Sequence, residues 1–153
     1  MHCAQKLTDH IYWIGSNDWS TERFENLFPI PNGVSYNSYF IDDEKTCIVD
    51  SVDDSIRQEF FDNVEHLLNG RELDYLIVNH MEPDHCATLV ELLDRYPNVK
   101  MVGNKTTFRF YEQFYGRPAP DNYYEVKEGD TIDLGHRWLH SSVSGECGNH
   151  HTA

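Results

Sequence analysis

The sequence predicts an α/β fold, with some α+β character, in which a β-hairpin precedes alternating strands and helices. Two segments rich in Val, Ile, Tyr and Phe face each other across a charged turn in the first third of the chain. After them, short apolar runs alternate with segments whose apolar residues recur every three or four positions. This β-α-β-α order favours parallel pairing of the later strands, because parallel neighbours need a crossover connection.

The first 52 residues are predicted to form strands around one long loop. Residues 11–14 (Ile-Tyr-Trp-Ile) read as a short strand. Residues 15–32 are predicted to be a loop, because two prolines and a following glycine oppose regular structure at its end. Residues 34–41 and 45–52 are predicted to pair as a hairpin across the turn at 42–45.

The central part of the chain has the pattern of helix, strand and helix. Residues 55–69 carry apolar side chains at helical spacing and end at an Asn-Gly stop signal. Residues 73–79 are a buried apolar strand, and residues 87–96 form a second helix that ends before a proline.

The last third of the chain returns to strands after one more helix. Residues 99–102 are predicted to be a strand and residues 106–115 a helix closed by Gly116. Residues 123–139 are predicted to be a strand pair that turns at 128–130. After residue 140 the sequence is small, polar and aperiodic, as in a frayed tail.

Composition excludes several classes of function. The chain has 153 residues and 39% hydrophobic content, which is enough for one domain with a real core. Its formal net charge is −14 and it has no basic cluster, which excludes nucleic acid as a partner. No apolar run approaches the roughly 18 residues that a membrane helix needs. The four cysteines lack any C-x-x-C spacing, which favours reduced thiols and a cytoplasmic protein, with Cys47 simply packed in a strand.

Four candidate metal ligands lie in the six residues that follow the strand at 73–79. They are His80, Glu82, Asp84 and His85. Two imidazoles and two carboxylates without a thiolate favour iron or manganese and still allow zinc. The competing interpretation is an ordinary polar turn in which Asp84 caps the next helix. The end of a strand is where open α/β sheets place their sites, so the metal site is favoured.

The same residues carry a resemblance to a known family. The motif at 80–85, together with the segments 11–15, 33–41 and 47–52, resembles the N-terminal metallo-β-lactamase-like domain of flavodiiron proteins from about residue 8 to residue 140. Glu82 stands where hydrolases of this fold usually carry a second histidine. This exchange separates the flavodiiron resemblance from the hydrolase resemblance.

The resemblance implies a four-layer αββα sandwich that is incomplete at its C-terminal end. Residues 1–140 would form the N-terminal part of the diiron domain and residues 141–153 a divergent polar tail. The third histidine of the family is expected near Gly148, where this sequence has none, and the family's later ligands and flavodoxin-like domain have no counterpart. An incomplete sandwich predicts low stability or self-association.

The resemblance also implies roles for the candidate ligands. His80 and Glu82 would bind one iron and Asp84 the other, which His85 joins in some members, while Asp50 would support the ligand loop. Family members reduce O2 to water or NO to N2O with electrons from FMN. A rubredoxin-like or flavin reductase donor and a homo-oligomer are expected partners. Zinc is the expected substitute metal.

Three hypotheses for function follow. The leading one is the diiron-domain portion of a flavodiiron oxidoreductase, which as this chain alone is expected to lack turnover. The second is a hydrolase of the β-lactamase fold that uses a metal-bound hydroxide, against which Glu82 argues. The third is a non-catalytic remnant or interaction module, with the aromatic side chains of the loop at 15–32 as a candidate surface.

Overall fold

The computed structural model describes residues 3–18, 23–24, 28–29, 33–79, 81 and 87–141. The strands in that part are β1 (Gln5–Lys6), β2 (Ile11–Trp13), β3 (Ser16–Asp18), β4 (Arg23–Phe24), β5 (Phe28–Pro29), β6 (Val34–Tyr36), β7 (Tyr39–Ile41), β8 (Cys47–Val49), β9 (Tyr75–Ile77), β10 (Lys100–Gly103), β11 (Tyr124–Glu125), β12 (Thr131–Asp133) and β13 (Trp138–His140). The α-helices are α1 (Arg57–Leu68), α2 (Leu89–Arg95) and α3 (Lys105–Tyr115), and a 3₁₀ turn (Asp54–Ile56) precedes α1.

Seven of these strands form one mixed sheet with the order β1-β2-β7-β8-β9-β10-β11. The pairs from β1 to β8 are antiparallel, and the pairs from β8 to β11 are parallel. The central register places Ile48 opposite both Phe40 and Leu76. The predicted hairpin and the predicted parallel pairing are therefore both confirmed.

The two faces of this sheet pack against different layers. Phe40, Ile48, Leu76 and Met101 lie in one cluster with apolar side chains of all three helices. On the opposite face, Cys47 and its neighbours pack against side chains of β12 and β13, which form a separate two-stranded sheet. Strand side chains alternate between faces, so the residues on either side of each helix-facing position point to the β12–β13 layer.

The helices begin and end where the local sequence predicts. Asp53 accepts a hydrogen bond from the Ser55 N–H at 2.9 Å before α1, and Asn104 accepts one from the Thr107 N–H at 2.9 Å at the start of α3. Asn69 (φ 48°) ends α1 in the left-handed conformation, and Gly116 (φ 62°) ends α3 in the same way.

An ion-pair network joins α1 to α2. Glu91 accepts hydrogen bonds from Arg57 on α1 and from Arg95 on its own helix, and Arg95 also contacts Glu65 at 2.9 Å. The hydrogen bonds from Arg57 lower the pKa of the Glu91 carboxyl; desolvation opposes this shift, and Arg95 adds to it. The Arg95 guanidinium also lies 4.0 Å from the centre of the Phe61 ring.

Two sequence predictions for the N-terminal third are wrong in detail. The predicted strand at 34–41 is divided into β6 and β7, and the predicted loop at 15–32 contains the strands β3, β4 and β5. β6 leaves the main sheet to pair with β3. Gly15 permits this crossing, because a Cβ there would lie 1.8 Å from the carbonyl oxygen of Tyr36.

The predicted strand pair at 123–139 is also wrong. β11 joins the main sheet parallel to β10, and the hairpin forms instead between β12 and β13. Its tight turn is closed by a hydrogen bond from the Leu134 N–H to the Arg137 carbonyl at 2.8 Å, and Gly135 has φ 115°. The turn at 128–130 therefore connects two sheets.

Most of the predicted tail, residues 142–153, lies outside the described residues.

Within the described ranges, the structure contains no helix that is long and apolar enough to cross a membrane.

Candidate metal site

The candidate site lies at the edge of the main sheet where the parallel strands β8 and β9 end. Asp50 directly follows β8, and Asn79 follows β9 by two residues. Because both strands run in the same direction, their carboxyl ends meet at one edge, where open α/β sheets bind ligands. The predicted ligand segment begins at the next residue, His80.

Asp50 holds the residue that precedes the ligand segment. Its carboxylate accepts a hydrogen bond from the Asn79 N–H at 2.8 Å and another from the Asn79 side-chain amide at 3.1 Å. Asp50 is buried and its backbone is left-handed, with φ 60°. Aspartate and asparagine tolerate this conformation better than most residues. The contact is consistent with the supporting role that the family resemblance implies for Asp50.

Ser38 contacts this backbone from the residue just before the neighbouring antiparallel strand. Ser38 is fully buried, and its hydroxyl donates to the Asp50 carbonyl oxygen at 2.7 Å, with the Val49 carbonyl oxygen as a more distant acceptor at 3.3 Å. Ser38 immediately precedes β7. The sequence offered no signal for this residue, since a serine in a strand-like run has no local partner that would distinguish it.

Thr88 makes the corresponding contact after the ligand segment. Its N–H donates to the Val52 carbonyl oxygen at 3.2 Å, and its hydroxyl donates to the same oxygen at 3.1 Å. The hydroxyl also accepts from the Val52 N–H at 3.3 Å. Both residues are buried. Residues 50–52 therefore bind the chain on both sides of the segment from 80 to 87.

The four predicted ligands, His80, Glu82, Asp84 and His85, lie outside the described residues. Their assignment as ligands thus stays a prediction. Met81 is described and is buried in the helix-facing core. Among the residues that the structure does describe, no group of three or more His, Cys, Asp or Glu side chains could hold a metal ion.

Cys47, three residues before Asp50, is not available for metal binding. It is fully buried on the β12–β13 side of the sheet, and burial raises the pKa of its thiol far above the usual range. A protonated, buried thiol is neither a metal ligand nor a nucleophile at neutral pH. The prediction that Cys47 is a packing residue is confirmed.

Comparison with known proteins identifies the domain. Residues 34–142 match the family described as "ODP family beta lactamase". Diflavin flavoprotein A 1 of Synechocystis is 36% identical over 132 residues, which are 86% of this chain and 23% of that protein. The anaerobic nitric oxide reductase flavorubredoxin of Vibrio vulnificus is 32% identical over 84% of this chain and 26% of its own length.

A solved structure agrees with these relatives. The flavodiiron protein of Giardia intestinalis superposes with a TM-score of 0.82 at 28% identity, covering 90% of this chain and 33% of that one. The chain thus spans about a quarter of the curated relatives and a third of the solved structure. Its matched residues include β8, β9 and the segment between Asn79 and Thr88. This chain belongs to the flavodiiron protein family, and its fold is that family's metallo-β-lactamase-like domain.

Proposed function

We propose that this chain is the metal-binding portion of a flavodiiron oxidoreductase that reduces O2 to water or NO to N2O. The observation that carries the proposal is Glu82 within the motif at 80–85, in a chain that belongs to the flavodiiron family. The contact between Asp50 and Asn79 supports it, because it holds the residue that enters this motif at the ligand-binding edge of the sheet.

His80 and Glu82 would bind one iron and Asp84 the second, which His85 joins in some members of the family. The donor set fits iron, because it combines imidazole nitrogen with carboxylate oxygen and contains no thiolate. Two bound irons would supply the coordination positions for O2 or NO and would pass on electrons received from FMN. Asp50 would orient the ligands rather than bind metal, since both of its carboxylate oxygens accept hydrogen bonds from Asn79.

The remaining expectations belong to the whole protein rather than to this domain. FMN would be the electron source, with a rubredoxin-like or flavin reductase donor, a homo-oligomeric assembly and a cytoplasmic location. The names of relatives such as flavorubredoxin support the redox assignment. The absence of turnover in this chain alone, and a domain boundary at residue 140, stay predictions.

Anaerobic loading with Fe²⁺ tests the proposal. We expect the chain to bind iron and to show the Mössbauer signature of an iron pair, and we expect Glu82→Gln and His80→Ala to lose it. The controls are Glu128→Gln and His140→Ala, which change exposed residues of the same types outside the motif.

The same experiment distinguishes the hydrolase hypothesis. If the chain binds zinc without any iron-pair signal, and the zinc form hydrolyses a simple ester in a His80-dependent manner, the oxidoreductase assignment is wrong. If neither metal binds, the chain is a module without metal chemistry.

A further inference from the structure

We propose that Thr88 is a positioning residue for the metal ligands, acting through the backbone of Val52. The inference rests on the proposed function and adds a residue to it. Thr88 lies three residues after His85, and its hydroxyl both donates to and accepts from the Val52 backbone.

The ligand segment is held at both ends by one short stretch of chain. Asp50 binds Asn79, which precedes residue 80, and Val52 binds Thr88, which follows residue 87. Eight residues therefore join Asn79 to Thr88, and the partners of these two residues, the Asp50 carboxylate and the Val52 backbone, are only two positions apart. Fixing the two flanking residues limits the paths open to the chain between them, which is the physical reason to expect Thr88 to affect metal binding by the predicted ligands.

The contact between Thr88 and the Val52 backbone, which we call the anchor, depends on the threonine hydroxyl. The Val52 N–H is buried and donates to this hydroxyl at 3.3 Å. Valine has nearly the shape of threonine but cannot accept a hydrogen bond, so Thr88→Val leaves a buried donor without this acceptor. Serine retains the hydroxyl, so Thr88→Ser should restore the anchor.

Thr46 provides a matched control at the opposite end of the strands β8 and β9. It is fully buried, and its hydroxyl donates to the Glu72 carbonyl oxygen at 2.8 Å and accepts from the Asp74 N–H at 3.1 Å. It precedes β8, whereas the candidate site follows it. Thr46→Val therefore removes the same type of backbone bridge without touching the ligand segment.

The test is a titration of the full chain and these variants with Co²⁺, followed by its d–d absorption. We expect Thr88→Val to raise the dissociation constant by up to about tenfold and to shift the absorption bands, because the loss of groups that orient metal ligands weakens binding by about tenfold or more and Thr88 acts on the ligands indirectly. Thr88→Ser should return both values toward wild type. Thr46→Val should lower the thermal midpoint while leaving both values unchanged. Equal effects of the two valine variants on Co²⁺ binding, or no effect of either, would overturn the proposal.

A second measurement separates this inference from the proposed function. If the unmodified chain binds neither Co²⁺ nor Fe²⁺, the proposed function fails, and amide hydrogen exchange in the metal-free protein decides the role of Thr88. We then expect exchange within residues 80–87 to be faster in Thr88→Val than in Thr46→Val. Equal exchange rates in that segment would refute the anchor.

Discussion

Replacing Asp50 tests whether its contact with Asn79 stabilises the sheet edge as the geometry indicates. Asp50→Asn keeps the size of the side chain and the tolerance for φ 60°. It also keeps one oxygen that can accept from the Asn79 N–H. The lost contact is the one to the Asn79 side-chain amide at 3.1 Å, because an amide nitrogen cannot accept. Hydrogen bonds to a charged acceptor contribute about 1.5–3 kcal/mol, so we expect a loss of about 2 kcal/mol.

Asp50→Ala removes more hydrogen bonds than Asp50→Asn and should therefore lose more stability. It also abolishes the bond from the Asn79 N–H at 2.8 Å and leaves that donor without this acceptor. Alanine tolerates the left-handed conformation less well than aspartate, which adds about 1 kcal/mol. The expected total is about 4 kcal/mol, near the upper end for single substitutions.

Urea unfolding of the metal-free chain measures both values. Asp121→Asn is the control, since Asp121 is exposed and should change stability by no more than about 0.5 kcal/mol. The m-value should stay constant, so that the midpoint alone reports the change. The reasoning is refuted if Asp50→Asn unfolds at the wild-type midpoint, or if Asp50→Ala is no less stable than Asp50→Asn.

Three further predictions concern the core, a turn and an ion pair. Phe60→Ala should lose about 3–5 kcal/mol in urea unfolding because Phe60 is fully buried, whereas Phe114→Ala, at 61% exposure, should change little. Gly135→Ala should lower the thermal midpoint more than Gly70→Ala: both glycines have positive φ, but only at Gly135 would a Cβ meet another side chain, at 2.6 Å. The lowered pKa of Glu91 stabilises the fold at neutral pH, and this stabilisation is lost as pH falls below about 4.3 through the folded-state value. Glu91→Gln should therefore lower the thermal midpoint at pH 7, and the midpoint of this variant should fall less steeply than that of wild type as pH drops below the ordinary glutamate range. An unchanged slope would contradict this.

Local signals in the sequence were enough to predict the helices and the central strands. The apolar spacing of residues 55–69 and the Asn-Gly after it correspond to α1 and its left-handed end. Gly116 ends α3 as predicted. The apolar runs around Ile48 and Leu76 became neighbouring parallel strands. For the helices the deciding interactions lie within a few residues of one another, so one stretch of sequence contains the information. For the two strands the local apolar runs predicted the elements, and the β-α-β order predicted their parallel pairing.

Errors occurred where the partner of a segment is distant in the sequence. Residues 34–41 have the composition of one strand, but Asn37 accepts a hydrogen bond from the Trp13 indole at 2.9 Å, and β6 pairs with β3 instead of continuing into β7. The turn at 128–130 has good turn residues, yet β11 pairs with β10. A local pattern does not show which strand each of these segments will pair with, because the choice depends on which edge is free once the sheet has formed.

For the site, the sequence by itself provided the candidate ligands, a donor set that favours iron or manganese and still allows zinc, and the family to which the chain is similar. These depend on residue types at a fixed spacing, which folding does not alter. Only the tertiary structure decided that residues 50–52 bind the chain on both sides of the ligand segment, with Ser38 behind Asp50 and Thr88 against Val52. Those contacts join residues from 12 to 36 positions apart. Such pairs are brought together only by burial of the sheet, which is why side chains as ordinary as a serine and a threonine carried no sign of their role.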